Sequence, residues 1–166
     1  MESLHDLLVD ELKDLWSAEN QLTKALPKMA KGATNEELAN AFREHLEVTE
    51  VQRQRIEEIF EQLDASPRGK KCVGMEGLIK EGSEMLQEGG EDSVIDAGLI
   101  AAAQKVEHYE IAAYGSAVAH AKLLGLDDVA KVLEQSLAEE KETDETLSSL
   151  AESVVNEQAL AASNEA

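Results

Sequence analysis

Two prolines, Pro27 and Pro67, are all that interrupt a chain otherwise made of long Ala, Leu, Glu, Gln and Lys-rich stretches, and aromatic residues make up only 3% of it. That supply favours helices and leaves strands little to use, so the sequence predicts an all-α fold. The length of 166 residues suits a single domain spanning 1–166, and 43% hydrophobic content is enough to build one sizeable core.

A first helix is predicted from about Ser3 to about Lys31, with a kink or late break at Pro27 and a stop at Gly32. Thr34 or Asn35 caps a second helix that carries Glu36 and Glu37 in its first turn and runs to about Leu63, before Asp64-Ala65-Ser66-Pro67. Arg68 to Lys71 form a local basic cluster that reads as a solvated loop. A shorter amphipathic helix from Gly74 to Leu86, closed by Gly89-Gly90, serves as a crossover. A third long helix runs from about Ser93 to Leu124, and a fourth from its cap Asp127 to about Asn156, followed by a frayed tail, Glu157 to Ala166. Four long helices with one long central connection match the ferritin-like four-helix bundle with a single crossover, here carrying a short extra helix.

The charge balance of 35 Asp and Glu against 15 Lys and Arg gives a formal net charge of -20. Such a surface repels phosphate backbones and anionic membranes, so nucleic acid and membrane are excluded as expected partners. The single Cys72 fits a reducing compartment. With no basic leader and no long apolar run, the sequence predicts neither a signal peptide nor a spanning helix, and cytoplasm is the expected location.

Most of the acids fall on solvated helix faces, but five near the middle of their helices have apolar neighbours seven residues away on both sides, which places them on the buried stripe. Glu19 lies between Leu12 and Leu26. Glu107 lies between Ile100 and Tyr114, Glu110 between Ala103 and Ala117, Glu140 between Leu133 and Leu147, and Asp144 between Leu137 and Ala151. On the second helix the stripe reads Leu38, Phe42, His45, Thr49, Gln52, Ile56, Ile59 and Leu63, again with a polar interruption at mid-length. Glu47 and Glu50 have ligand-like spacing, yet their phase sends them to the solvated side.

An ionised carboxylate in an apolar interior costs several kcal/mol unless it is paired or coordinated. The same stripes carry no Arg or Lys, so the remedies are shared protons, buried water or metal cations. Carboxylates with an imidazole suit iron or manganese, and less selectively zinc. The expected site holds two divalent ions, with Glu19, Glu107, Glu110 and Glu140 as main ligands. His45 and Asp144 act either as further ligands or as the groups that orient them. The ligand from the second helix stays open among His45, Thr49 and Glu50. The competing reading is a proton-sharing network that fixes helix register. Tyr109, Tyr114 and Trp16 are read as packed rings with satisfied polar tips, and His108 and His120 as surface residues.

At these residues the chain resembles the YciF/YciE-like stress-associated family, more closely its YciF branch. The similar segments are Ser17-Ala18-Glu19-Asn20-Gln21-Leu22, Phe42 with His45-Leu46-Glu47-Val48-Thr49, and Cys72-Val73-Gly74-Met75-Glu76-Gly77-Leu78-Ile79. A longer one runs Ala101-Ala102-Ala103-Gln104-Lys105-Val106-Glu107-His108-Tyr109-Glu110-Ile111-Ala112, and Glu139-Glu140-Lys141 with Thr143-Asp144 completes the set. The resemblance implies a ferritin-like bundle, a homodimer, a candidate di-metal centre and a link to bacterial stress responses. Two departures from the wider ferritin and rubrerythrin pattern stand out: the fourth helix has Thr143 and Asp144 but no His after Glu140, and the second has Glu50 where a relative carries His. A four-cysteine iron site for electron delivery is also missing, since Cys72 stands alone. The expected activity is reduction of peroxide or dioxygen at a carboxylate-bridged metal pair. The alternatives are a non-catalytic stress or interaction protein and, more weakly, an iron-storing cage.

Overall fold

The computed structural model describes residues 1–165. Ser3 opens α1 (Leu4–Gly32) through a capping box: its hydroxyl accepts from the Asp6 N–H at 3.0 Å, and the Asp6 carboxylate accepts from the Ser3 N–H at 3.2 Å. The helix runs through Pro27 without breaking. Pro27 is exposed while Leu26 and Ala30 are buried, so the ring stands on the solvent side and apolar packing of its neighbours keeps the axis. At the end of α1, the Ala33 N–H closes onto the Met29 carbonyl at 2.9 Å.

Asn35, rather than Thr34, caps α2 (Glu36–Gln62), accepting from the Leu38 N–H at 3.1 Å. Thr34 is engaged elsewhere. The buried carboxylate of Asp96 accepts from the Thr34 N–H at 2.9 Å, the Thr34 hydroxyl at 2.7 Å and the Asn35 N–H at 2.7 Å. An acid is thus fixed at the positive end of α2 from another helix.

The crossover helix α3 (Val73–Glu88) starts at Cys72, whose sulfur accepts from the Met75 N–H at 3.4 Å, and ends at Gly89 with φ +69°. Gly74 is required by a close approach, because a Cβ there would lie 2.7 Å from Cε2 of Tyr109. Met75 is fully buried against the bundle. The long helices α4 (Asp92–Leu123) and α5 (Asp127–Leu150) are separated by a turn around Gly125, at φ +72°. Leu126 takes the cap position of α5, so Asp127 sits inside the first turn and acts on the helix dipole instead of capping it. No strand occurs among the described residues, and no described helix is long and apolar enough to cross a membrane.

Beyond Leu150 the fourth long helix changes its winding, and helix continues into the segment from Glu157. A π-helical turn, Ala151–Val155, leads into α6 (Asn156–Glu165), which lies against α4. Val155 is fully buried and Ala151 is buried beside it, so this segment has apolar contacts that hold it helical. Ala166, the last residue of the expected tail, lies outside the described residues.

The helices α1 and α2 form one hairpin and α4 and α5 another, α3 spans the connection and packs on α4 and α1, and the hairpins join through α1 against α4 and α2 against α5. The core of this bundle is divided. One apolar cluster contains Leu22, Leu26, Phe42, Leu99, Leu147 and Val155, and the other contains Leu8, Leu12, Leu15, Ile56, Phe60 and Leu133. The boundary falls between Leu15 and Leu22 on α1, between Phe42 and Ile56 on α2, between Val106 and Tyr114 on α4, and between Leu133 and Leu147 on α5. Each interval contains the polar residues of the buried stripe. A fully buried Leu contributes roughly 2 kcal/mol, and an uncompensated buried charge costs several, so this layer must be neutralised for the two clusters to hold together.

Candidate metal centre

Four helices supply the polar layer: Glu19 from α1, His45, Thr49 and Gln52 from α2, Glu107 and Glu110 from α4, and Glu140 from α5, all buried. Glu107 and Glu110 share a face because they are three residues apart on one helix. One ligand atom each from His45, Glu107, Glu110 and Glu140 comes within 4.8 Å of the others. That spread is about twice a cation's usual bond length to oxygen or nitrogen, roughly 2.0–2.6 Å, so one ion can be reached from all four side chains.

The layer is short of donors. Both oxygens of Glu107 and of Glu110, Oε2 of Glu19 and of Glu140, both ring nitrogens of His45, Oγ1 of Thr49 and Oε1 of Gln52 have no hydrogen-bond partner among the described residues. His45 Nδ1 stands 3.3 Å from Glu107 Oε1 and its Nε2 stands 3.9 Å from Glu140 Oε2, contacts without hydrogen-bond alignment. Buried polar groups are nearly always paired, and this many unpaired acceptors around one point form a cluster that could hold a metal ion.

The electrostatics agree. Burial, reinforced by the neighbouring carboxylates, pushes Glu19, Glu107 and Glu110 well above the ordinary carboxylate range. Burial lowers His45 despite the nearby Glu140, which keeps the imidazole neutral and its lone pair available to a metal. Tyr114 is raised well above its usual value by burial and by Glu19, so it remains a phenol and donates to Oε1 of Glu19.

Glu140 is oriented from the side. The Gln52 amide donates to Oε1 of Glu140 and also to Oε2 of Glu139 at 3.2 Å, while Arg55 grips Glu139 with contacts of 2.6 and 2.9 Å. Sequence reasoning missed Glu139 and Arg55. The available signal was that Arg55 follows Gln52 by three residues and so shares its face of α2.

The expected ligands do not all converge. Glu19 is buried next to the cluster but lies outside the group of four, with one oxygen held by Tyr114. Asp144 sits at the rim, its side chain 20% exposed, tied to Gln104 Nε2 at 3.3 Å and approached by His108 Nε2 at 3.5 Å. Glu47 and Glu50 are exposed, as their phase requires. His108 is exposed, and His120, only partly exposed, pairs with Glu11 at 2.7 Å. Trp16 donates to Glu57 at 2.9 Å, and Tyr109 bonds Asp14 and Cys72, so those rings have satisfied tips.

Residues 3–160 match the family described as Domain of unknown function (DUF892). The chain is 46% identical to Protein YciF of Escherichia coli (strain K12) over 160 residues, 96% of each chain. The crystal structure of the E. coli stress protein YciF superposes with a TM-score of 0.91, covering 94% of this chain and 99% of that one. YcfI of Rhodopseudomonas palustris, named as a candidate structural protein, is 43% identical with a TM-score of 0.86, over 89% of this chain and 94% of that one. A protein of Xanthomonas campestris pv. campestris is 25% identical with a TM-score of 0.72, over 92% of both chains.

Proposed function

This chain belongs to the DUF892 family, a YciF-like helical bundle, and we propose that it is a di-metal carboxylate protein of the stress response that reduces peroxide or dioxygen. The observation that carries this reading is the set of orphaned buried acceptors on Glu107, Glu110, Glu140, Glu19 and His45. His45, Glu107, Glu110 and Glu140 would hold one ion, and Glu19, with its free oxygen on the same layer, would complete the site for a second. Four carboxylates fully ionised carry four negative charges, which two divalent cations balance while His45 stays neutral.

Iron or manganese fits the oxygen-rich ligand set better than a thiolate-seeking metal. When bound, the ions would pass electrons to the oxidant, and an external reductant would have to return them to the divalent state for turnover. The protein's own part is to hold the ligands in a buried layer between two apolar clusters, to fix Glu140 through Gln52, and to fix Glu19 through the Tyr114 hydroxyl. Protons that the raised carboxyls hold in the apo protein leave as cations arrive. The chain is expected to act in the cytoplasm as a homodimer.

The deciding experiment is metal analysis of protein purified without chelator and then reconstituted with Fe(II) or Mn(II), followed by peroxide and oxygen consumption. Two equivalents per chain with turnover support the reading, and no bound metal under either condition overturns it. The description of the R. palustris relative as a candidate structural protein favours a second reading, a metal held for stability alone. Two bound equivalents without turnover would select it.

A further inference from the structure

A cleft between α2 and α5 descends from the surface to His45. Its mouth is lined by Glu44 and Glu142, both exposed, its wall by Val48, Glu139 and Thr143, and its floor by His45, which is only 3% exposed. We infer that this cleft is the route by which hydrated divalent cations reach the buried centre. The inference rests on the metal-binding reading above and adds the path and the residues that draw the ion in.

Acidity alone does not make the case. The outer face of α2 from Glu47 to Glu61 is at least as acidic, yet the depression there is lined by surface residues and reaches none of the buried carboxylates. The α2–α5 cleft differs because it ends on a buried imidazole whose two nitrogens lack hydrogen-bond partners. Beyond His45 lie Glu107 and Glu140, at 3.3 and 3.9 Å. Charges along the wall are graded. Glu139 is neutralised by Arg55 at 2.6 Å, whereas Glu44 and Glu142 form no ion pair among the described residues and keep their attraction for a cation. An ion drawn to the mouth exchanges water for carboxylate oxygen there, meets the neutral imidazole next, and ends among the acids that hold it. Low-dielectric walls of this kind focus the field of the mouth and raise the rate of arrival rather than the final affinity.

The test follows Co(II) uptake by the full-length apo protein in stopped flow, by the absorbance of the bound ion, at several salt concentrations. The double variant Glu44→Gln/Glu142→Gln should bind as much cobalt at equilibrium as wild type, with a bimolecular rate about tenfold lower and a weaker salt dependence. Val48→Trp, which narrows the wall, should slow uptake at every salt concentration. Wild-type rates in both variants at equal stoichiometry would overturn the route while leaving the metal centre standing. Should Val48→Trp lose its helical circular dichroism, the double variant alone decides. A wild-type protein that binds no cobalt, iron or manganese at equilibrium brings down the centre and the route together.

Discussion

The side-chain amide of Gln52 on α2 donates to Oε1 of Glu140 on α5, and the same nitrogen reaches Glu139 at 3.2 Å. A single group therefore couples a buried carboxylate of the centre to a partly exposed one gripped by Arg55. Removing the donor by Gln52→Leu keeps the volume and leaves Glu140 unsupported. The expected result is a loss of about tenfold in metal affinity, as for other groups that orient ligands, and of about 1 kcal/mol in apo stability. Calorimetric titration with Mn(II) and urea unfolding check both.

The stability of the apo protein should fall as pH rises. Glu19, Glu107 and Glu110 hold protons in the folded state above 4.5, their ordinary value, where the unfolded chain has released them. The folded state then binds more protons, so its stability declines from about pH 4.5 upward through the titration of the cluster. His45 works the other way. Its folded value lies below 6.5, so its contribution is full above 6.5 and is lost as pH falls below that. Three carboxylates outweigh one imidazole between those limits, and above 6.5 they act alone. Thermal unfolding should show a falling Tm from about pH 5 to about pH 8 without metal and a rising one with saturating Mn(II), because cations require the ionised ligands. Glu110→Gln should flatten the apo slope.

Asp96 ties the start of α2 to the first turns of α4 through three hydrogen bonds of 2.7 to 2.9 Å. Asp96→Asn keeps the shape but turns an amide toward donors and removes the charge from the helix N-terminus, for an expected loss of about 2 kcal/mol. Eleven residues of helix separate Asp96 from Glu107, on the order of 16 Å, so metal affinity should be unchanged. Urea unfolding and faster amide exchange at Thr34 to Leu38 would register the first effect and Mn(II) titration the second.

The order of the long helices and the buried acids were legible because both rest on periodicity, and Glu19, Glu107, Glu110 and Glu140 are all fully buried. Phase also separated the exposed Glu47 and Glu50 from the buried His45. What periodicity could not resolve was depth across the helix. Asp144 follows Glu140 by four residues, and that rotation carries its carboxylate to the rim, where Gln104 takes it. Partnerships over long sequence separation, such as Tyr114 with Glu19 or Arg55 with Glu139, depend on how helices pack and left no local trace. The helix of the tail lies against α4, a long-range packing that its Ala-rich composition does not reveal.

Replacing Glu107 separates a metal centre from a register-fixing polar network. Neither of its oxygens has a hydrogen-bond partner, and burial with Glu140 alongside pushes it well above the ordinary carboxylate range. In the apo protein Glu107→Gln therefore removes a penalty and should raise stability near neutral pH by about 1 kcal/mol. In the metal-loaded protein the same change deletes a charged ligand, and affinity should fall about 100-fold, equivalent to about 2.7 kcal/mol. Opposite signs for the two states are the mark of a ligand. A polar network held by shared protons would instead lose stability on substitution and show no metal-dependent difference. Paired urea titrations of wild type and variant, with and without Mn(II), decide between these outcomes. Loss of peroxide or oxygen consumption in the folded variant would tie the same carboxylate to turnover.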